Sequence, residues 1–439
     1  MKTDTIAAIS TALSDSGIGI IRISGEEAIM IGDALFRTKS GKRKLSEVKS
    51  HTIHYGYIVD PQDSFIIDEV MTSVMKAPYT YTKENIVEIN CHGGVLVMQK
   101  ILETVLKAGA RMAEPGEFTK RAFLNGRLDL SKAEAVMDLI QSKNELAYSS
   151  SISQLKGNLS NEIKSLRSDI IYEIAFIESA LDDPEHISLE GYSEKLDVKV
   201  KNILDRIQKL IVTADNGRMI KEGISTVIVG KPNAGKSSLL NILAGEERAI
   251  VTDIAGTTRD ILEEHVRLNG IGLNVIDTAG IRNTEDIIEK IGVERAKKYA
   301  KEADLILYVV DSSIELDESD REIISLIKEK NVIILLNKTD LNTIVTEEEI
   351  RELLGSDPKN QNIRIIKTST KDITGIDLFE NAVNEMFFQG RISINDEIII
   401  TNMRHKELLQ SAYESMKLVK KSIEDGMEED FYSIDLMSA

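Results

Sequence analysis

Three hydrophobic rhythms succeed one another along the chain. From Thr5 to about Phe118, β-rich runs such as Gly19-Ile20-Ile21-Arg22-Ile23 and Ile86-Val87-Glu88-Ile89 are broken by glycine turns, which predicts a mixed α+β domain. After Phe118 the period lengthens. Ser131, followed three residues later by Glu134, forms a capping-box pattern and predicts a helix start. Leu155, Leu159, Ile163, Leu166, Ile170, Ile174, Ile177 and Leu181 then recur at steps of four and three, the spacing of one apolar stripe on a long helix. That stripe stops at Asp182-Asp183-Pro184, where the proline ring removes a helical hydrogen bond and clashes with the preceding turn. A second helical run, Val200 to Ala214, leads to Gly217.

Beyond Gly217 short apolar runs alternate with helical ones. Thr226 to Val229, Leu273 to Ile276, Leu305 to Val310, Val332 to Leu336 and Ile363 to Ile366 predict a mostly parallel sheet covered by helices on both faces. From about Asn384 the pattern is helical again, clearest over Glu407 to Ile423. The simplest division is an α+β domain over residues 1–118, a helical domain over 119–216 and 383–439, and an α/β domain over 217–382 inserted into it. Such an insertion needs its two ends close together.

Length and composition agree with several domains. A chain of 439 residues exceeds one hydrophobic core, and 42% hydrophobic with 29% charged residues is an ordinary globular balance. No apolar run approaches the roughly 20 residues that span a bilayer, and Met1-Lys2-Thr3-Asp4 is no signal peptide, so a cytoplasmic protein without membrane attachment is expected. Cys91 is the only cysteine, which rules out an internal disulfide. A net charge of −18 argues against broad electrostatic capture of nucleic acid. Residues 1–118 carry 13 basic and 15 acidic side chains, so an RNA partner meets least repulsion there.

The most informative chemistry lies in the α/β segment. Gly230-Lys231-Pro232-Asn233-Ala234-Gly235-Lys236-Ser237, with Ser238 after it, follows a predicted strand and opens a helix, the setting of a phosphate-binding loop. There backbone N–H groups wrap the phosphates, Lys236 reaches the β and γ oxygens, and the Ser237 hydroxyl takes a Mg2+ position. Asp277-Thr278-Ala279-Gly280 follows a β-run, placing Asp277 for the Mg2+ shell and the Gly280 amide for the γ-phosphate. In Asn337-Lys338-Thr339-Asp340, the Asp340 carboxylate can accept both donor hydrogens of guanine, which favours GTP over ATP. Ser369-Thr370-Lys371 resembles the weaker base-supporting loop, with threonine where alanine is usual. Thr252 to Asp260 suits a switch loop, with Thr258 as the second hydroxyl on Mg2+. After Gly280 stands Ile281, which cannot orient water, so hydrolysis needs help from Arg282 to Glu289 or from outside the domain.

Gly230 to Ser238, Gly256-Thr257-Thr258-Arg259-Asp260, Asp277 to Gly280 and the inserted position together resemble the MnmE (TrmE) family of tRNA-modifying GTPases. Arg22-Ile23-Ser24-Gly25, Glu88 to Gly94, and Pro115-Gly116-Glu117-Phe118 through Leu130 extend the likeness over almost the whole chain. The resemblance implies a Ras-like P-loop domain that binds GTP or GDP, and a K+ ion in place of an arginine finger. That ion would be held by Asn233, Thr252, Ile254 and Thr257 once two nucleotide domains meet. It implies Glu289 as the water-orienting carboxylate, with Lys236 and Asn233 completing the catalytic set. It also implies a homodimer whose first domain binds a tetrahydrofolate derivative through Arg22, Glu88 and Arg127, and a heterotetramer with an MnmG-like FAD-dependent flavoprotein that modifies the wobble uridine of tRNA. Read from the residues alone, those three charges are surface or structural groups, and Glu289 a solvated helix residue.

Other features receive plainer readings. Cys91-His92-Gly93-Gly94 is expected to be a tight structural turn rather than a metal site, since two ligands rarely suffice. Gly17-Ile18-Gly19 lacks the third glycine of a dinucleotide fingerprint. The family's terminal Cys-x-Gly-Lys motif is absent from Ile434-Asp435-Leu436-Met437-Ser438-Ala439, so the end reads as truncated. Impaired modification, and apolar exposure near Tyr432 and Leu436, are expected with it. The competing reading is a regulatory GTPase switch in ribosome assembly, which has no reason to bind folate.

Overall fold

The structure is a computed structural model that describes residues 4–39, 44–245, 263–268, 271–277, 303–327, 330–355, 363–388 and 398–439. It divides into two units, one ending at Met137 and the other beginning at Asp138.

The first unit is built on seven strands, β1 (Ile6–Ile9), β2 (Ser16–Ser24), β3 (Phe36–Thr38), β4 (Thr52–Val59), β5 (Ile66–Met75), β6 (Ile86–Gly93) and β7 (Arg111–Met112), in the order β3-β4-β5-β6-β2-β1-β7. Ile21 and Ile23 of β2 and Val87 and Ile89 of β6 turn inward onto helices α1 (Ala28–Leu35) and α2 (Val95–Lys107). Helix α2 buries Met98, Ile101, Leu102 and Val105, one face at helical spacing. The alternation that buries those isoleucines turns Arg22 and its register partner Glu88 to the other face. Cys91 to Gly93 lie in β6 and Gly94 caps α2, so the expected tight turn is a strand end followed by a helix. Burial, reinforced by Asp68, pushes the Cys91 thiol up to about 11, while His92 points outward and pairs with Asp68 at 2.7 Å. No metal-binding group of side chains occurs among the described residues.

Buried charge ties the end of this unit together. Glu117 opens helix α3 (Glu117–Leu124), accepts hydrogen bonds from Arg111 (2.7 Å) and Arg121 (3.0 Å), and through them joins Asp4 and Glu84. The Arg111 hydrogen bond is the main reason the Glu117 carboxyl is held down at about 2.

Helix α4 (Leu130–Gln141) begins one residue before the expected cap. Asp129 caps it instead, its Oδ1 accepting the Lys132 N–H at 2.9 Å and the Ser131 hydroxyl at 2.7 Å. The predicted long stripe is two helices, α5 (Glu145–Lys156) and α6 (Asn158–Asp182), because Gly157 turns into the left-handed region at φ 92. Helix α7 (Tyr192–Glu222) outruns its predicted span at both ends, and Gly217 lies inside it. A Cβ at Gly217 would stand 1.8 Å from the Ile400 carbonyl oxygen, so this glycine permits a close backbone approach rather than ending the helix.

After α7 comes a six-stranded sheet: β8 (Ile224–Val229), β9 (Glu263–Leu268), β10 (Ile271–Asp277), β11 (Leu305–Asp311), β12 (Val332–Asn337) and β13 (Arg364–Lys367), ordered β13-β12-β11-β8-β10-β9. Every pairing is parallel except β9 with β10. Strand β11 is buried along its whole length, as a sheet covered on both faces requires. Helices α8 (Lys236–Gly245), α9 (Glu318–Ile327), α10 (Glu347–Leu354) and α11 (Ile376–Phe388) accompany it. Phe379 and Val383 pack in the core on one face, Ile324 and Ile350 in the core on the other. The edge strand β9 escaped the sequence reading because Val266 and Leu268 are its only aliphatic residues.

The last helices are α12 (Met403–Glu424) and α13 (Glu429–Ser438). One core joins Leu159, Ile177, Leu196 and Ile207 to Leu409, Met416, Tyr432 and Leu436. The expected apolar exposure near the end is found at Phe431, Ile434 and Met437, which are 52%, 59% and 61% exposed, whereas Tyr432 (2%) and Leu436 (1%) are themselves buried because α13 folds back against α6 and α12.

Candidate functional site

The phosphate loop takes its shape from two glycines and a buried amide. Gly230 leaves β8 at φ 149, and a Cβ there would lie 2.3 Å from the Val309 carbonyl oxygen. Gly235 adopts φ 103, and its Cβ would meet the Asn337 amide nitrogen at 2.1 Å. Both positions demand glycine on conformation and on space. Asn233 also sits at positive φ, 63, as asparagine tolerates. Lys236 opens α8 and donates to the Gly230 and Lys231 carbonyls, each at 2.7 Å. Ala234 is buried, while Ser237 and Ser238 are exposed in the first turn, beside the positive end of the helix dipole.

Asn337 organises the base end. Only 1% exposed, it donates to the Ala234 carbonyl at 2.9 Å and accepts the Thr370 N–H at 3.1 Å, so one side chain fastens the phosphate loop, the end of β12 and the Ser369 to Lys371 loop. Asp340 accepts the Ser369 hydroxyl at 2.9 Å and lies 3.9 Å from the Lys371 ammonium. Lys338, at φ 63, pairs with Asp311 at 2.5 Å. That Lys338 hydrogen bond, with those of Ser313, overcomes burial and lowers the Asp311 carboxyl. Asp311 was missed in the sequence, although an acid closing the apolar run Leu305 to Val310 was a usable signal. Asp277 is the last residue of β10. Thr252, Ile254, Thr257, Thr258, Thr278, Ala279, Gly280 and Glu289 lie outside the described residues.

The first unit assembles a second cluster. Arg22 donates through Nε to Glu88 Oε1 at 2.7 Å, and its guanidinium lies 5.7 Å from the Tyr81 ring and 5.4 Å from the Phe118 ring. Arg127 stacks on Tyr81 at 4.7 Å. Arg22 and Arg127 therefore share one aromatic ring, with Glu88 joined to it through Arg22, and Tyr81 and Arg127 also line a hollow of about 440 Å³ with Tyr79 and Lys83. Phe118 entered the sequence reading only as part of the Pro115-Gly116-Glu117-Phe118 likeness and Tyr81 not at all, although Tyr79-Thr80-Tyr81 was a usable hint. This donor set fits a planar heterocycle with amide-like edges: aromatic faces to stack on, a carboxylate to accept and guanidinium groups to donate.

Comparison with known proteins agrees along the full chain. Residues 5–127 match the family model described as the GTP-binding protein TrmE N-terminus, and residues 130–439 match that of the MnmE helical domain. The tRNA modification GTPase MnmE of Lachnoclostridium phytofermentans is 59% identical over 439 residues, covering 100% of this chain and 94% of that protein. Its namesake in Acetivibrio thermocellus is 49% identical over 438 residues, with coverage of 100% and 94%. The Enterococcus faecalis protein of that name is 50% identical over 437 residues, covering 99% of this chain and 92% of its own.

Proposed function

The chain belongs to the MnmE (TrmE) family of tRNA modification GTPases, and we propose that it couples potassium-stimulated GTP hydrolysis, completed by a second copy of itself, to modification of the tRNA wobble uridine. It is a GTP hydrolase. In the reaction water attacks the γ-phosphorus, the bond to the β–γ bridging oxygen breaks, and GDP and phosphate leave. Loop amides and the Lys236 ammonium bind the phosphates, and Asp340, held by Ser369, reads the guanine edge. The observation that carries this reading is the Asn337 clamp, which sets the phosphate loop and the base loop in one fixed relation.

Ser237, Thr258 and Asp277 would hold Mg2+, and Asn233, Thr252, Ile254 and Thr257 would hold K+; both ions would supply positive charge for the transition state. Glu289 would orient the attacking water, the task that Ile281 cannot perform. The Arg22, Glu88 and Arg127 cluster would bind a tetrahydrofolate derivative against Tyr81, supported by its aromatic and carboxylate lining. The nucleotide domain would be an insertion in the helical domain, a reading supported by the core that joins α6 and α7 to α12 and α13. The expected partners are a second copy of the chain, an MnmG-like FAD-dependent flavoprotein and tRNA, met in the cytoplasm. No helix among the described residues is long and apolar enough to cross a membrane.

The deciding experiment is GTP turnover in K+ against Na+ across protein concentration. Faster turnover in K+, rising with concentration and lost in Asn233→Ala, is expected. Equal rates in both salts would remove the cation, and a turnover per chain that does not change with concentration would remove the pairing.

A further inference from the structure

The phosphate loop contains a second lysine that the nucleotide chemistry leaves without a task. Lys231 directs its ammonium to Asp320 at 2.7 Å and to Asp317 at 3.0 Å. Asp320 lies in the first turn of α9 and is 1% exposed. A carboxylate so buried needs a cation and hydrogen-bond donors around it to offset its lost hydration. Here Lys231 is the cation, the Tyr308 hydroxyl donates at 2.7 Å, and the Asp317 N–H donates at 3.0 Å.

Tyr308 is fully buried in β11 and stands in register with Val229, the residue before Gly230. The chain Tyr308, Asp320, Lys231 thus runs from the sheet core through the start of α9 to the entrance of the loop. Pro232 restricts the backbone of Lys231 from the other side. The fixed carbonyl of Lys231 in turn accepts the Lys236 ammonium at 2.7 Å. Lys236 is the group that must reach the β and γ phosphates.

We infer that Lys231 and Asp320 are positioning residues for GTP binding, holding the loop entrance so that the Lys231 carbonyl presents Lys236 to the triphosphate. The inference rests on the GTP-hydrolase reading. It differs from a merely structural ion pair in its target, because its loss is felt at the phosphate-binding lysine before it is felt in the fold.

The test compares parent, K231R and the double variant K231M/D320N, in which both charges vanish while asparagine keeps an acceptor for Tyr308. Dissociation of a fluorescent GDP analogue, KM and kcat for GTP, and thermal unfolding without nucleotide are measured. For the double variant we expect dissociation and KM to rise about tenfold, the scale of a lost charge-assisted hydrogen bond. The kcat should stay within about threefold and the unfolding midpoint within a few degrees, and K231R should behave like the parent. Unchanged dissociation and KM in the double variant, or equal impairment in K231R, would overturn the proposal. Should the double variant not fold, Tyr308→Phe serves in its place: faster dissociation at an unchanged kcat supports the tether, and parental dissociation removes it. A parent that turns over no GTP would instead overturn the hydrolase reading beneath it, an outcome visible before any variant is made.

Discussion

Single side chains decide most of the nucleotide site. Asp340 is held by Ser369 and Lys371, and under the proposed function its acceptor pair would be the source of guanine selectivity. Asp340→Asn turns one acceptor into a donor. GTP affinity should fall between about tenfold and a hundredfold, the scale of hydrogen bonds to a charged group, while xanthosine triphosphate binds better than it does to the parent. Competition between the two nucleotides measures this, and parental GTP affinity would count against the base assignment. Asn337 is more than the base contact its motif suggests: buried and bonded at both ends of its amide, it is the joint of the site. Its motif placed it in the sequence, but its work depends on Ala234 and Thr370, far away along the chain.

At the scale of elements, helix ends and crossings carry the information. Gly217 allows α7 to pass against the backbone at Ile400, within 1.8 Å of where a Cβ would sit. Gly217→Val should destabilise this unit by about 2 kcal/mol or more, since only backbone movement relieves the clash. Chemical denaturation of the variant against the parent checks it, and an unchanged midpoint would show that the crossing yields freely. Helix α3 makes a different prediction. The Arg111 hydrogen bond holds Glu117 at about 2, below the ordinary carboxyl value of 4.5. A depressed carboxyl stabilises the folded state above its unfolded value, and that stabilisation is lost as pH falls through the folded value. The first unit should therefore weaken between about pH 4.5 and pH 2, by an amount on the order of 2 kcal/mol. Far-ultraviolet circular dichroism along an acid titration follows the loss. Glu117→Gln should start less stable and show a flatter acid limb, so an identical limb would assign acid sensitivity to other groups.

Over the whole molecule, the two candidate sites lie in separate units, and each is built from its own sheet. Arg22 and Glu88 occupy the outward face of β2 and β6, whereas the nucleotide loops gather at the ends of β8, β11 and β12. Glu88→Gln removes a charged acceptor from the first cluster only. Binding of a tetrahydrofolate derivative should weaken about tenfold or more, and GDP affinity should not follow. Isothermal titration with each ligand separates the two. Parental folate affinity would return Glu88 to a plain structural ion pair.

What the sequence determined by itself was chemistry that depends on near neighbours. The phosphate loop from Gly230 to Ser237, the guanine motif at Asn337 to Asp340, the buried parallel strands and the stop at Asp183-Pro184 each rest on steric and hydrogen-bonding rules spanning a few residues, so they are legible locally. Arg22, Glu88 and Arg127 were named only through family likeness, because nothing along the chain shows that the two arginines share Tyr81 or that Glu88 pairs with Arg22. Tertiary structure decided the rest. The break at Gly157, the cap at Asp129, the passage of α7 through Gly217, the burial of Tyr432 and the tie from Tyr308 through Asp320 to Lys231 depend on which partner lies opposite. Periodicity states that a residue has an apolar face or an unpaired charge, but its partner is chosen by long-range packing, where the alternatives differ by only a few kcal/mol.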